Sequence, residues 1–192
     1  RSLAEAMPGA GAAGVINVLG RIWTARVTSH VPLRRVAELI TEEAILGATE
    51  LLDRSFASHY GRRPRMAIAG LNPHAGDGGS FGMEEIEVIA PAVARAAGLG
   101  FAVEGPVPAD TAYVLAARGR YDGIVTMFHD QGQIALKAVG FGEGITLSAG
   151  LRVPVATPSH GTAYDIAGRG IGRLDGLRLA VEVCTRLAQG AA

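Results

Sequence analysis

Three short apolar runs in this chain, Arg21–Val27, Met66–Leu71 and Asp122–Met127, each end in a polar motif that carries a histidine. The motifs are V-T-S-H-V-P-L with His30, G-L-N-P-H-A-G-D-G-G with His74, and M-F-H-D-Q-G with His129. Short apolar runs bounded by turn residues read as buried strands, and residues at helical spacing follow each of them. Strands that alternate with helices predict an α/β fold with a largely parallel sheet covered on both faces. Open sheets of that kind bind ligands just past the C-terminal ends of their strands. Several histidines there point to one metal or proton-transfer site assembled from distant parts of the chain.

The remaining elements follow from periodicity. Ala10 to Leu19 is apolar with glycines. Val36, Leu39, Ile40, Ile45, Leu51, Leu52 and Phe56 predict a long helix from Leu33 to Tyr60, broken near Gly47. Arg62, Arg63 and Pro64 close it, and with Arg65 they read as a solvated helix end; His59 reads as a surface residue. A glycine loop spans Asn72–Gly79, then a helix covers Glu84–Ala97 with Pro91 as an irregularity. A strand near Phe101–Glu104 precedes a helix over Ala109–Arg118. After the apolar stretch Ile134–Val139 come short strands at Ile145–Ser148 and Val153–Ala156. A helical turn over Tyr164–Ala167 and an amphipathic helix over Leu174–Ala188 complete the chain, with no repeat, linker or domain boundary visible.

Composition removes several classes of function. Lys+Arg and Asp+Glu are equal at 18 each in 192 residues, so no global charge favours nucleic acid or an acidic membrane. No apolar run approaches the roughly 18–20 residues that span a bilayer. The single Cys184 excludes an internal disulfide and fits a reducing cytoplasm. Arg1 in place of Met, with no signal peptide, reads as a fragment or a trimmed product.

Each motif has a chemical and a plain structural reading. The loop around His74 lies between strand and helix, where backbone N–H groups can hold an anion; it is equally a glycine turn capped by Asp77. His129-Asp130 is a metal ligand beside an orienting carboxylate, or a satisfied polar pair at a strand end. The string from His160 to Gly168, H-G-T-A-Y-D-I-A-G, is the most specific. A histidine can stack on adenine, Gly161 admits close backbone approach, and Asp165 can accept from both ribose hydroxyls while repelling a 2′-phosphate. That pattern favours NAD over NADP.

H-G-T-A-x-D-I-A-G-R-G resembles the adenosine loop of isopropylmalate and isocitrate dehydrogenases. Together with G-L-N-P-H-A-G-D-G-G-x-F-G-M-E-E, G-P-x-P-A-D-T and H-D-Q-G-x-x-x-L-K, it is similar to the 4-hydroxythreonine-4-phosphate dehydrogenases of pyridoxal phosphate biosynthesis, the PdxA family. The resemblance implies a homodimer of two-domain, three-layer α/β/α subunits with a cleft at the dimer interface. It implies metal-ligand histidines at His30, His74 and His129, the third supplied by the partner subunit. Neighbouring carboxylates fall on Asp110 and Asp130, the substrate lysine on Lys137, and the NAD adenosine loop on His160, Gly161, Thr162 and Asp165. The implied activity is NAD-dependent oxidation of a secondary alcohol of a hydroxy acid, with loss of CO2 from the resulting β-keto acid. Zinc suits three histidines, and cobalt, nickel, manganese or magnesium fit the same role.

Three departures bear on substrate and activity. The family pattern G-V-N-x-T-L-G-L-P-x-x-R-T has Thr146 here in place of its asparagine and Val155 in place of its arginine. Both family residues are expected phosphate contacts, and losing a guanidinium there is not conservative. Arg152 is the candidate replacement for the lost contact. The stretch around it, L-S-x-G-x-R-V, is similar to terephthalate cis-dihydrodiol dehydrogenases of the same superfamily, whose ring carboxylate can pair with an arginine. The third departure is length: family members carry a large N-terminal region ahead of this chain, which therefore reads as the C-terminal portion. A non-catalytic nucleotide- or metal-binding fragment is the reading of another class.

Overall fold

Gly20, in the left-handed region at φ 55°, turns the first apolar run back on itself. In this computed structural model, which describes residues 13–140 and 142–190, the run becomes a hairpin of β1 (Gly14–Leu19) and β2 (Ile22–Arg26). The apolar stretch expected from Ala10 thus lies partly outside the described residues. Five more strands follow: β3 (Met66–Ala69), β4 (Val103–Val107), β5 (Gly123–Thr126), β6 (Ile145–Ala149) and β7 (Val155–Pro158). They form one sheet in the order β4-β3-β5-β2-β1-β6-β7.

Only half of that sheet is parallel. β4, β3, β5 and β2 run together, whereas β1, β6 and β7 join through antiparallel pairs. The expectation of a largely parallel sheet is corrected at both connections that lack a helix. A two-residue turn joins β1 to β2, and the short link through Gly150 and Pro154 leaves no room for a crossover before β7.

Helices cover both faces, as the three-layer expectation requires. α1 (Val36–Leu39) is a short turn, and α2 (Glu42–Tyr60), α3 (Ala90–Gly98) and α6 (Asp175–Gly190) lie on one face. α4 (Ala109–Ala117) and α5 (His129–Gly140) lie on the other. Alternation along the strands feeds two cores. Ile16, Val18, Trp23, Ala25, Val125 and Ile145 pack with α2 and α6, while Ile22, Ala67 and Ile124 pack with Ala112, Ala116 and Leu136. The long helix breaks before Thr41 rather than near Gly47, because the Thr41 hydroxyl accepts from the Ala44 N–H at 3.1 Å and caps a new start. A π turn over Glu85–Ile89 precedes Pro91, whose missing N–H then falls in the first turn of α3 at little cost.

The arginines after α2 are not a free basic patch. Arg62 donates to both Asp122 oxygens at 3.1 and 2.9 Å, the Arg65 backbone N–H and Nε donate at 2.9 and 3.3 Å, and Arg63 grips Asp53. His59 is buried rather than exposed, packed against Trp23 and Tyr60, and burial pushes its imidazole below the ordinary value. Burial alone would raise the Asp122 carboxyl, but the Arg62 guanidinium and the Arg65 N–H outweigh it and hold it well below its usual 3.8. The stabilisation is therefore complete above that value and is lost as pH falls through the lower folded one. Asp122→Asn is expected to cost about 1–2 kcal/mol at neutral pH, because the guanidiniums left behind are more than half exposed. Its melting temperature should also fall less than that of the unaltered protein between roughly pH 5 and pH 2. Equal slopes for the two proteins would refute the latch.

Candidate active site

Past the end of β2 the chain stays zipped to the chain leaving β5. Val27 donates to the Thr126 carbonyl at 2.8 Å, and Thr28 donates to the Met127 carbonyl through its N–H at 3.1 Å and its hydroxyl at 2.8 Å. That pairing carries His30 to His129, the first residue of α5. Their ring centroids lie 5.7 Å apart with the planes tilted by 40°. His129 Nδ1 is 2.7 Å from Asp130 Oδ1, which leaves Nε2 as its free ring nitrogen. A cavity of about 230 Å³ is lined by both histidines, Asp130, Phe128 and Val36. The adjoining cleft, about 320 Å³, has Asp110 and Tyr113 of α4 on one side and Asp130 and Gln131 on the other. The two carboxylates thus face one space beside the histidine pair.

His74 arrives by a different device. His74, Ala75, Gly76, Asp77 and Gly78 all take left-handed conformations, with φ 53° at His74. A non-glycine residue pays roughly 1–2 kcal/mol for that conformation, so something must hold the loop. Glu85 does so: it is buried, and its Oε1 accepts from the Leu71 and Asn72 N–H groups, both at 2.7 Å. Its Oε2 accepts from Asn72 Nδ2 at 2.9 Å, and a Cβ at Gly76 would stand 2.8 Å from that oxygen. Gln131 ties the same loop to the His129 turn, donating to the Gly70 carbonyl and accepting from the Met127 N–H, both at 2.8 Å. The Asp77 side chain, expected as a cap, makes no capping bond.

The donor set of one chain fits a divalent ion only in part. Two imidazoles converge, and one has the carboxylate partner that fixes tautomer and orientation at metal sites. Among the described residues no group of three His, Cys, Asp or Glu side chains comes close enough to hold a metal ion. His74 stacks near Phe81, with centroids 6.2 Å apart, instead of joining the pair.

The other expected site residues separate by sheet face. Lys137 is exposed on α5 above a narrow crevice shared with Asn17, Gln133 and Ser159. Thr146, on β6, accepts from Asn17 Nδ2 at 3.0 Å on that same face. Arg152 lies on the opposite face, in a cleft of about 320 Å³ with Arg54, Ser55, Ser58 and Leu187. Within one chain it is not brought to Lys137 and Thr146. The loop from His160 to Asp165 is exposed along its length, with His160 Nδ1 2.8 Å from the Gly161 carbonyl.

Sequence reasoning missed Glu85 and Gln131 as structural members of the site. Glu85 had a legible signal: it shares helical spacing with Ile89, Ala92 and Ala96, so a carboxylate stood on the buried stripe.

The family model described as pyridoxal phosphate biosynthetic protein PdxA matches residues 2–184. A Rhizobium meliloti (strain 1021) protein, provisionally named 4-hydroxythreonine-4-phosphate dehydrogenase 2, is 49% identical over 189 residues, covering 98% of this chain and 54% of its own. The crystal structure of a Klebsiella pneumoniae 4-hydroxythreonine-4-phosphate dehydrogenase superposes with a TM-score of 0.84 at 36% identity, over 97% of this chain and 56% of that one. A terephthalate 1,2-cis-dihydrodiol dehydrogenase from Burkholderia xenovorans LB400 superposes with a TM-score of 0.73 at 26% identity, over 91% and 55%. The chain spans about half the length of the curated relatives it matches. Among the described residues no helix is long and apolar enough to cross a membrane.

Proposed function

Because the chain belongs to the PdxA family, we propose that it is the C-terminal portion of an NAD- and metal-dependent dehydrogenase. It oxidises a secondary alcohol of a small hydroxy acid with decarboxylation, most simply 4-hydroxythreonine 4-phosphate. The observation that carries the proposal is the His30–His129 pair beside the facing carboxylates Asp110 and Asp130. When bound, a divalent metal, zinc first among those that suit histidine, supplies Lewis-acid polarisation of the substrate hydroxyl, and NAD accepts the hydride.

This chain's residues do the rest. His30 and His129 hold the metal through their free ring nitrogens, and Asp130 fixes the His129 tautomer. Asp110, across the cleft from Asp130, takes the hydroxyl proton. Lys137 and Thr146 hold the substrate's anionic end, and His160, Gly161, Thr162 and Asp165 take the adenosine of NAD. The resemblance gives His129 to the partner's site; because His129 meets His30 within this chain and His74 stands apart, we assign the partner's ligand to His74 instead. Ile134 and Val139, 67% and 71% exposed on α5, are apolar surface suited to such contact. The single Cys184 is in keeping with a cytoplasmic enzyme.

The test is NADH formation by the metal-loaded, full-length protein with 4-hydroxythreonine 4-phosphate and a cis-dihydrodiol dicarboxylate side by side. Turnover of the phosphate is the expected result. Turnover of the diol alone would move the enzyme to aromatic catabolism, the alternative favoured by Arg152 in its L-S-x-G-x-R-V setting. Silence with both would favour another hydroxy acid as substrate or a non-catalytic nucleotide- or metal-binding role.

A further inference from the structure

The substrate side of the cleft lacks an expected guanidinium. β7 offers Val155, which pairs with Ser148 of β6 and so shares the sheet face of Thr146. That face is under α5, whereas Arg152 is on the far side of the sheet. Another arginine does occupy the α5 face. Arg26 ends β2, and alternation from Trp23 and Ala25, both in the opposite core, turns it toward α5.

Its surroundings are unusual for a buried cation. Arg26 is half-buried, and its Nη2 donates to Asn17 Oδ1 on the neighbouring strand β1. Among the described residues no carboxylate forms an ion pair with it. Burial lowers the guanidinium from its ordinary value. Tyr113 is itself pushed well above its ordinary value by burial and stays a neutral phenol. A partly desolvated cation without a counter-charge is costly unless an anion completes it.

Asn17 connects this cation to the expected substrate residues. Its Oδ1 accepts from Gln133 Nε2 at 2.9 Å, and its Nδ2 donates to Thr146 Oγ1 at 3.0 Å. Gln133 stands one helical turn before Lys137, and both line the crevice with Asn17. Asn17 and Thr146 are directly paired across β1 and β6, Arg26 reaches Asn17 diagonally from β2, and Gln133 bonds Asn17 from α5 one turn before Lys137. This cluster offers donors and positive charge, and among the described residues no acid is paired with it.

We propose that Arg26, held by Asn17, joins Lys137 and Thr146 in receiving the anionic group of the substrate and, as the guanidinium of the set, sets which anion this enzyme accepts. The inference rests on the dehydrogenase reading for the identity of the substrate, but the binding chemistry is separate. A phosphoryl or a carboxylate oxygen satisfies the guanidinium equally in kind, since both accept charge-assisted hydrogen bonds.

The experiment is calorimetric titration of the full-length protein, at low salt, with inorganic phosphate and with acetate. One of the two anions is expected to bind, and the stronger ligand identifies the group. Arg26→Met should weaken that anion at least tenfold, and Arg26→Lys should restore part of the loss. Asn17→Asp gives a second test that leaves the arginine in place: a carboxylate beside it neutralises the charge, and anion binding should fall by a similar factor. Circular dichroism of each variant reports whether the sheet is retained. In steady-state turnover, KM should rise for Arg26→Met far more than kcat falls. Anion binding unchanged in Arg26→Met or in Asn17→Asp overturns the proposal, as does failure of the unaltered protein to bind either anion. Binding that depends on Arg26 in a protein that never reduces NAD would instead sink the dehydrogenase reading alone.

Discussion

His129→Ala is expected to abolish divalent-metal binding by the full-length protein while leaving its far-ultraviolet circular dichroism unchanged. The imidazole is half-exposed at the start of α5, so its removal leaves no large cavity. What it removes is one of the two histidines that converge among the described residues. Asp130→Asn is the graded companion. The amide keeps the size of the side chain but no longer offers a charged acceptor to His129 Nδ1, and affinity should fall about tenfold to a hundredfold. Competition against a chromophoric chelator measures both. His74→Ala should match His129→Ala in an intact dimer. Metal binding equal to that of the unaltered protein in either histidine variant would show that the ligand set is wrong, and in Asp130→Asn that the carboxylate does not orient His129.

Glu85→Ala is expected to be the most damaging change that touches no ligand. The carboxylate is 2% exposed and serves three donors at the base of the His74 loop. Without it, the Leu71 and Asn72 N–H groups lose their acceptor in a place water enters poorly. The loss should be about 3 kcal/mol in urea unfolding. Glu85→Gln should be intermediate: one oxygen still accepts from the backbone, but an NH2 group then faces the Asn72 side-chain donor. Both variants should bind metal more weakly although Glu85 coordinates nothing. The reason is that the left-handed run from His74 to Gly78 relaxes when its anchor goes. A stability loss under about 1 kcal/mol would mean that water or a neighbouring group replaces the carboxylate.

Much of this was legible in the sequence because strand and helix periods are local. The runs ending at His30, His74 and His129 read as strands followed by helices, and the structure has them so. The break before Thr41 was missed because Gly47 is a weak helix residue, whereas the capping hydroxyl of Thr41 acts through geometry. The antiparallel half of the sheet was missed because alternation along a strand carries no information about the direction of its neighbour. The burial of His59 depends on Trp23, and the Asp122 latch reaches back to Arg62; both are long-range contacts that composition does not reveal. Among the site residues, the histidines' place just past strand ends is legible in the sequence, but the meeting of His30 with His129 of the same chain is not, since the family resemblance gives His129 to the partner's site. Nor is the sheet face of Arg152, since it depends on how the chain turns between β6 and β7.

β1 has a further consequence for how the protein is made. It lies between β2, which follows it at once, and β6, whose Thr146 is 129 residues from its partner Asn17. During synthesis the β1–β2 hairpin therefore emerges before β6, and the edge of β1 that pairs with β6 waits until that strand follows. Contacts of such long sequence separation form late and slow the folding of sheets. An open apolar edge is also a template for pairing with other chains. Demand for chaperones should accordingly concentrate in the interval between the appearance of β1 and that of β6, and truncation before Ile145 should give aggregates rather than a smaller folded unit.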